Sequence, residues 1–332
     1  MEYDLEQERV LQFMRRHKPK RAAIQLPSGL RPQLPQILES FEGGLVEPVI
    51  MAGSCYGACD LADAEAKRLG CGVLLHYGHS DMGLPACLPT LYVEARMLVD
   101  PQQTVERALP KIDFRRVGLL TTVQHVGHLK GIEEFLRLHG FEPSVGSPGP
   151  RAKYPGQLLG CDFGCARSIA NKVDGFLYIG TGDFHPLGAA LATGKRVLVV
   201  DPVAGSSKWI STSVEKFLHK RKAAIASAAA GERFGVIAST KPGQARPDQS
   251  IELIKALKGA GRDVHLFVVN EVRHEELGDF KLDAIVCTAC PRIPTDDAER
   301  FDIPVLTPFE ARVMLGLEKL EPYRLDEFSR KF

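Results

Sequence analysis

"RAAIQL" (residues 21–26), "RVGLLT" (116–121) and "RFGVIA" (233–238) are one short pattern written three times. Each is an arginine leading a compact apolar run, and each reads as a buried parallel strand. A helical pattern precedes each, over 4–17, 103–110 and 212–229. A second apolar run follows in every case: "GVLLHYG" (72–78), "GFLYIG" (175–180) and "AIVCT" (284–288). A third closes each set: "TLYV" (90–93), "RVLVV" (196–200) and "PVLT" (304–307). From the arginine to the second run is 51, 59 and 51 residues, and from there to the third run 18, 21 and 20. Unrelated strands do not keep that beat. The expected fold is α/β: three homologous small parallel-sheet domains with flanking helices, arranged around a pseudo-threefold centre. Their limits fall at 1–102, 103–210 and 211–332, their crossovers are right-handed, and the linkers are "DPQQT" (100–104) and "VAGSSKWIS" (203–211).

The composition agrees with such a chain. Its 332 residues are 44% hydrophobic and 25% charged, with a net charge of +1, enough for two or three domains with real cores. The near-neutral balance gives no electrostatic footprint for nucleic acid, and the basic "HKRKAA" (219–224) is expected to be a solvated helix face. "MEYDLEQERVLQFMRRHK" has no continuous apolar core of a signal peptide, and no apolar stretch is long enough to span a bilayer. The expected location is the cytoplasm, where thiols stay reduced. Eight cysteines there point to metal or redox chemistry more than to disulfides, with several serving as small core residues.

Six of the cysteines fall in three pairs: "GSCYGACDLAD" (53–63), "LGCDFGCARS" (159–168) and "VCTACPRIPTDD" (286–297). Cys59 lies 38 residues after Arg21 and Cys161 lies 45 after Arg116. The extra residues fit the longer middle unit, whose surplus is placed in "SPGPRAKYPG" (147–156). The two cysteines are therefore equivalent. Each is followed by an aspartate and precedes a helical pattern, whose dipole favours thiolate. The third unit has Glu271 at the matching place, so its candidates are Cys287 and Cys290, after the next strand. All three places are C-terminal strand ends, where open parallel sheets bind ligands. Packed with those edges inward, the units bring one thiolate each to the centre. Pro291 is expected to hold Cys290 extended, and a Cys-Pro pair also closes a known iron–sulfur run. A thioredoxin-like use of Cys287 and Cys290 is disfavoured, because the pair runs into Pro291 and Pro294 instead of opening a helix. For Cys55, Cys71, Cys87, Cys165 and Cys287 packing is the expected role. A four-ligand structural zinc site drawn from the three pairs remains the competing reading.

Eight ordered motifs carry a resemblance: "LPSGL" (26–30), "YGACDLAD" (56–63), "HYGHS" (76–80), "TTVQH" (121–125), "PGQLLGC" (155–161), "GDFHP" (182–186), "STKPGQ" (239–244) and "ACPRIPTDD" (289–297). The chain resembles the archaeal first-step enzymes of diphthamide biosynthesis, the 2-(3-amino-3-carboxypropyl)histidine synthases, a non-standard radical S-adenosylmethionine family. It departs in having Asp81 and Met82 where relatives often place a cysteine. The resemblance implies three homologous α/β domains giving Cys59, Cys161 and Cys290 to a [4Fe–4S] cluster, with Cys165 and Cys287 the other members of their pairs. One iron then lacks a protein ligand and takes substrate. The implied reaction sends one electron from the reduced cluster into the sulfonium of S-adenosylmethionine. The bond to the methionine γ-carbon breaks, and methylthioadenosine leaves. The 3-amino-3-carboxypropyl radical adds to C2 of a histidine imidazole on translation elongation factor 2. A homodimer and a low-potential electron donor are implied, with no nucleic acid and no membrane.

Residues that orient the sulfonium substrate are drawn from the same motifs. Arg292 can pair with its carboxylate, or else form a structural ion pair with Asp296 or Asp297. Gly180, Gly182 and Asp183 end a strand, where backbone approaches closely or Asp183 holds a ribose hydroxyl. Gln244 and Ser28, at ends of first strands, are further contacts, as is His185 beside His79 and His125; for each the plain alternative is a turn residue or a satisfied histidine. A different class of function, a zinc-stabilised three-domain scaffold that binds a partner without S-adenosylmethionine chemistry, is separated by metal content and colour.

Overall fold

The computed structural model describes residues 1–328. A two-residue strand, β1 (Tyr3–Asp4), comes first. β2 (Arg21–Gln25), β3 (Glu47–Met51), β4 (Val73–Tyr77) and β5 (Thr90–Val93) then form a sheet in the order β3-β2-β4-β5, and β6 (Arg96–Met97) returns antiparallel to β1. The second sheet contains β7 (Arg116–Thr121), β8 (Glu142–Val145), β9 (Gly175–Ile179), β10 (Arg196–Asp201) and β11 (Ser206–Trp209), in the order β11-β10-β9-β7-β8. The third contains β12 (Arg233–Ser239), β13 (Asp263–Val269), β14 (Ala284–Cys287) and β15 (Val305–Leu306), in the order β13-β12-β14-β15. The order is the same each time: the unit's first strand lies between its second and third, with its fourth beyond. Apart from β11 every ladder in these sheets is parallel.

The repeated pattern has a physical cause. β4, β9 and β14 are buried at every position, and β2 and β7 at all but the first, which is why they read as unbroken apolar runs. The arginine marks the solvent end of each first strand. Arg21 pairs with Glu47 (2.7 Å), Arg116 with Asp174 (2.5 Å) and Arg233 with Asp283 (3.4 Å). These pairs are exposed and screened by water, so the arginines mark the strand starts more than they hold them. The second strands were not evident in the sequence. β3 ("EPVIM") and β8 ("EPSV") carry Pro48 and Pro143, tolerated because these are edge strands, and β13 has one face largely open to water.

Two expectations change. The stretch 203–211 is no linker: it contains β11, which hydrogen-bonds back on β10 with Trp209 opposite Leu198, the ring lying near Phe114 and Arg196. Nor is "HKRKAA" wholly solvated. Lys220 and Lys222 are exposed, but Arg221 turns inward from the helix Ser211–Ala229 to meet the buried carboxylate of Glu310 at 2.6 Å.

Every pair of units is tied. Gln124 and Gln157 donate to the Gly78 carbonyl and Ser80 hydroxyl at 2.8 and 2.7 Å, joining second unit to first. Lys241 reaches Asp60 at 2.6 Å and the Gly243 N–H donates to the Cys59 carbonyl at 2.9 Å, joining third to first. The segment after the last helix crosses back to the second unit, where the Phe328 N–H donates to the Cys161 carbonyl at 2.9 Å and Glu327 receives Arg167. Among the described residues no helix is long and apolar enough to cross a membrane.

Candidate metal centre

Cys59 sits on the loop between β3 and the helix Asp63–Arg68, and Cys161 on the corresponding loop between β8 and the helix Gly164–Ile169. Cys290 follows β14, one strand later in its unit. All three are half-buried. They face one another: Cys161 feels the charge of Cys59, and Cys290 feels both. Burial first, then this repulsion, pushes the Cys161 thiol up to about 12 and raises Cys290, while burial raises Cys59. Burial thus works against the thiolate preference expected from the helix dipoles. The two helices are six residues long and begin beyond the cysteines, too short and too far to offset desolvation. Three crowded thiols favour keeping their protons, and a cation that binds them takes the protons' place.

The surroundings fit an anionic metal–thiolate group. Arg151 is buried, hydrogen-bonds Cys161 and donates to the Gly243 carbonyl at 3.0 Å. Arg246 feels Cys161 and Cys290, and its Nη2 is buried with no hydrogen-bond partner among the described residues. Both guanidiniums lie against the Phe328 ring, at 3.7 and 3.3 Å from its centroid, and burial lowers the pKa of each. An anion bound at the thiols supplies the missing partner. These arginines were missed in the sequence, and Arg151 was hidden in the stretch read as surplus length. That stretch folds over Cys161: the buried Asp162 carboxylate receives the N–H groups of Arg151 (2.8 Å), Ala152 (3.2 Å) and Gly164 (2.8 Å).

Gly243 is where the third unit's backbone presses on Cys59. A Cβ there would lie 2.5 Å from the Cys59 Cα and Cβ, so one backbone must retreat. Gly243→Ala is expected to destabilise the chain by about 1–3 kcal/mol and to lower bound metal, read by urea unfolding and metal analysis. Wild-type values for both would show that the contact yields freely.

The remaining cysteines sort by burial. Cys165 and Cys287 are enclosed in the cores of the second and third units, Cys71 in that of the first, and Cys87 is exposed. Pro291 has helical angles (φ −63°, ψ −19°) and starts the turn Arg292–Asp296, with the Ile293 N–H on the Cys290 carbonyl. The sequence argument against a redox pair thus fails on its helix criterion, yet Cys287 is 1% exposed within an apolar core, which keeps its thiol inert.

Beside the centre a cleft of about 470 Å³ is lined by Thr181, Gly182, Asp183, Phe184, His185, Arg292 and Asp296. It lies at the C-terminal ends of β9 and β14, and four of the seven sequence-derived orienting residues meet there. Gly180 precedes the wall at φ +146°, open only to glycine. Arg292 forms the structural pair with Asp296 (2.9 Å) and lies over the Phe184 ring. Asp183 is engaged by Lys208 at 2.8 Å, so neither side chain is idle. The other two lie elsewhere. Gln244 is at the thiols, its Nε2 3.5 Å from Cys59 Sγ, and Ser28 is exposed on the turn after β2, next to a second cavity of about 190 Å³. Thr181 borders both cavities.

His125 lines the smaller cavity with Nδ1 unpartnered among the described residues, and His185 lines the larger. Burial takes each down to about 4, helped by His128 and Arg292 respectively. Unfolded, each titrates near about 6.5. The folded chain therefore binds fewer protons in between, and stability is full above about pH 6.5 and lost as pH falls toward about 4. Urea midpoints are expected to be level above neutrality and to drop between pH 6.5 and 5, less steeply in His125→Asn. A level midpoint down to pH 5 contradicts this.

A family model described as "Putative diphthamide synthesis protein" matches residues 26–324. A 2-(3-amino-3-carboxypropyl)histidine synthase of Pyrococcus horikoshii is 40% identical, the match covering 98% of this chain and 94% of that one. Subunit 1 of the Schizosaccharomyces pombe synthase is 30% identical, over 98% of this chain and 77% of its own. The crystal structure of Pyrococcus horikoshii Dph2 with a 4Fe-4S cluster superposes with a TM-score of 0.91, covering 98% of this chain and 94% of that chain. With the same sheet order in three units, three thiols meeting between them and a family match over most of its length, the chain belongs to the diphthamide synthesis proteins.

Proposed function

We propose that the chain transfers the 3-amino-3-carboxypropyl group of S-adenosylmethionine to C2 of a histidine imidazole of translation elongation factor 2, the first step of diphthamide biosynthesis. The observation that carries this is the meeting of Cys59, Cys161 and Cys290 beside Arg151 and the unpartnered Arg246 Nη2. Cys59, Cys161 and Cys290 would hold a [4Fe–4S] cluster, in keeping with the cluster-bearing Pyrococcus relative. When bound, that group supplies one electron to the sulfonium and an iron position free of protein ligands.

The chain's own residues do the rest. Arg151 and Arg246 balance negative charge at the thiols in a site where water is largely excluded. Gln244 Nε2 donates to Cys59 Sγ and stabilises its thiolate form. In the cleft, Arg292 turns from Asp296 to take the substrate carboxylate, a pairing its guanidinium geometry suits. The glycines at 180 and 182 let substrate approach the backbone, and His185, kept neutral at pH 7, offers a hydrogen bond without adding charge beside Arg292. Orientation is the decisive contribution, because the same sulfonium has other bonds to break. This reading takes a low-potential donor as reductant, a homodimer as the assembly and the cytoplasm as the location.

The test is an anaerobic reaction of the reduced, brown protein with S-adenosylmethionine and elongation factor 2. Methylthioadenosine and one 3-amino-3-carboxypropyl group on a histidine are expected in equal amounts. A colourless zinc protein without iron, or adenosylmethionine cleaved to 5′-deoxyadenosine, overturns the proposal.

A further inference from the structure

Beside the three-thiol centre, where Cys55 feels the charge of Cys59, the first unit holds a second group of soft ligands. Cys55 Sγ and a ring nitrogen from each of His76 and His79 all lie within 4.8 Å of one another. His76 and Cys55 are buried and His79 is half-buried. The place is a topological one: His76 is in β4 next to β2, and the first and third strands of this order flank the crevice where such sheets take ligands.

The hydrogen bonds fix which atom His76 offers. Gln25 Nε2 donates to the Asp60 carbonyl at 2.7 Å, and Gln25 Oε1 accepts the Ala62 N–H at 3.1 Å. The amide cannot be turned round, so Oε1 must also be what His76 Nδ1 meets at 2.9 Å. An oxygen there can only accept. His76 therefore carries its proton on Nδ1 and presents a bare Nε2, 3.0 Å from His79 Nδ1. A carbonyl-type partner that orients a histidine and sets its tautomer is what metal-binding histidines require.

We propose that Cys55, His76 and His79 bind a zinc ion, a second metal site separate from the three-thiol centre. The donor set, one thiolate and two imidazoles, suits zinc, with water in the fourth position. Tetrahedral bonds of about 2.0–2.3 Å place ligand atoms about 3.3–3.8 Å apart, so the present spacing closes on a metal with small side-chain shifts. Binding displaces the Cys55 thiol proton, which leaves to solvent. The ion fastens the 52–62 loop to β4. Cys59 rides on that loop four residues from Cys55, so zinc is a positioning device for a thiol of the main centre. The competing state is a metal-free His76–His79 hydrogen bond.

The full chain, purified anaerobically from zinc-replete medium, is analysed for zinc and by zinc K-edge absorption, which iron does not obscure. The expected result is about one zinc per chain with one sulfur near 2.3 Å and two or three nitrogen or oxygen neighbours near 2.0–2.1 Å. In Cys55→Ala and His79→Gln, each shown folded by its melting curve, zinc falls at least about tenfold, since even loss of an outer-sphere partner costs 10–100-fold. No stoichiometric zinc in the wild type overturns the site. So does a three-sulfur shell, which would put the zinc on Cys59, Cys161 and Cys290, or wild-type zinc in both variants. These outcomes do not depend on whether iron occupies the three-thiol centre.

Discussion

Cys290→Ala, reconstituted anaerobically, is expected to retain less than about a tenth of the roughly four irons of the wild type, and Cys59→Ala and Cys161→Ala the same. Each thiol comes from a different unit and none has a substitute at hand. Cys165 and Cys287, the nearest in sequence to Cys161 and Cys290, are locked in apolar cores, and Cys55, nearest to Cys59, is turned to His76 and His79. Removing one thiolate also leaves Arg151 and Arg246 facing a smaller negative charge in a buried place, which costs further binding energy. Methylthioadenosine formation should fall by at least about a thousandfold, a barrier increase of about 4 kcal/mol. Cys165→Ala and Cys287→Ala are the controls, expected to keep their iron within about twofold, since they lose only core packing. Iron analysis and the visible spectrum decide it. Full iron in Cys290→Ala would move the ligand role to Cys287.

Glu310→Gln is expected to lower stability by about 3–5 kcal/mol. Glu310 is wholly buried and receives Arg221 Nε and Nη2 at 2.7 and 2.6 Å, as well as the Tyr323 hydroxyl at 2.7 Å. Its carboxylate also accepts the Thr307 N–H in the capping box of the helix Pro308–Met314. Neutralising it strands a guanidinium that has left water behind, and Arg221 further holds the Pro294 and Val305 carbonyls. Pro294 lies in the turn directly after Cys290, so metal affinity should decline with stability. Glu299→Gln, whose partner Lys220 is exposed, should leave the urea midpoint at the wild-type value. Arg221→Met with Glu310→Leu should lie closer to wild type than either single change, because it removes both charges. Urea midpoints measure all five.

The parts of this molecule that could be read from its residues are those where burial imposes a pattern. β2, β4, β7, β9, β12 and β14 are enclosed by neighbours, so their sequences are apolar and their spacing exposed the repeat. Edge strands answer to one neighbour and to water, and Pro48 and Pro143 made two of them look like turns. That Cys59, Cys161 and Cys290 face one another was expected from register and from the family resemblance together, since Cys290 departs from the position that Cys59 and Cys161 share. Arg151, Arg246 and Arg221 were not legible. Arginine is a surface residue by default, and only the arrangement of distant carbonyls, thiols and carboxylates says that these three turn inward. The fate of Arg292 shows the same limit: both partners weighed for it were plausible, and Asp296 holds it at 2.9 Å.

The ties between the units have a mechanical consequence. First holds second, third holds first, and the returning segment at Phe328 holds second to third, so the three bodies form a closed kinematic ring. Opening one joint as a hinge must strain the other two, which leaves no inexpensive degree of freedom for whole-body motion. Any movement that opens the cleft must then be small and local. The turn at Thr181–Asp183 and the Arg292–Asp296 latch, both on the cleft wall, are the parts able to move while the ring stays rigid around the thiols.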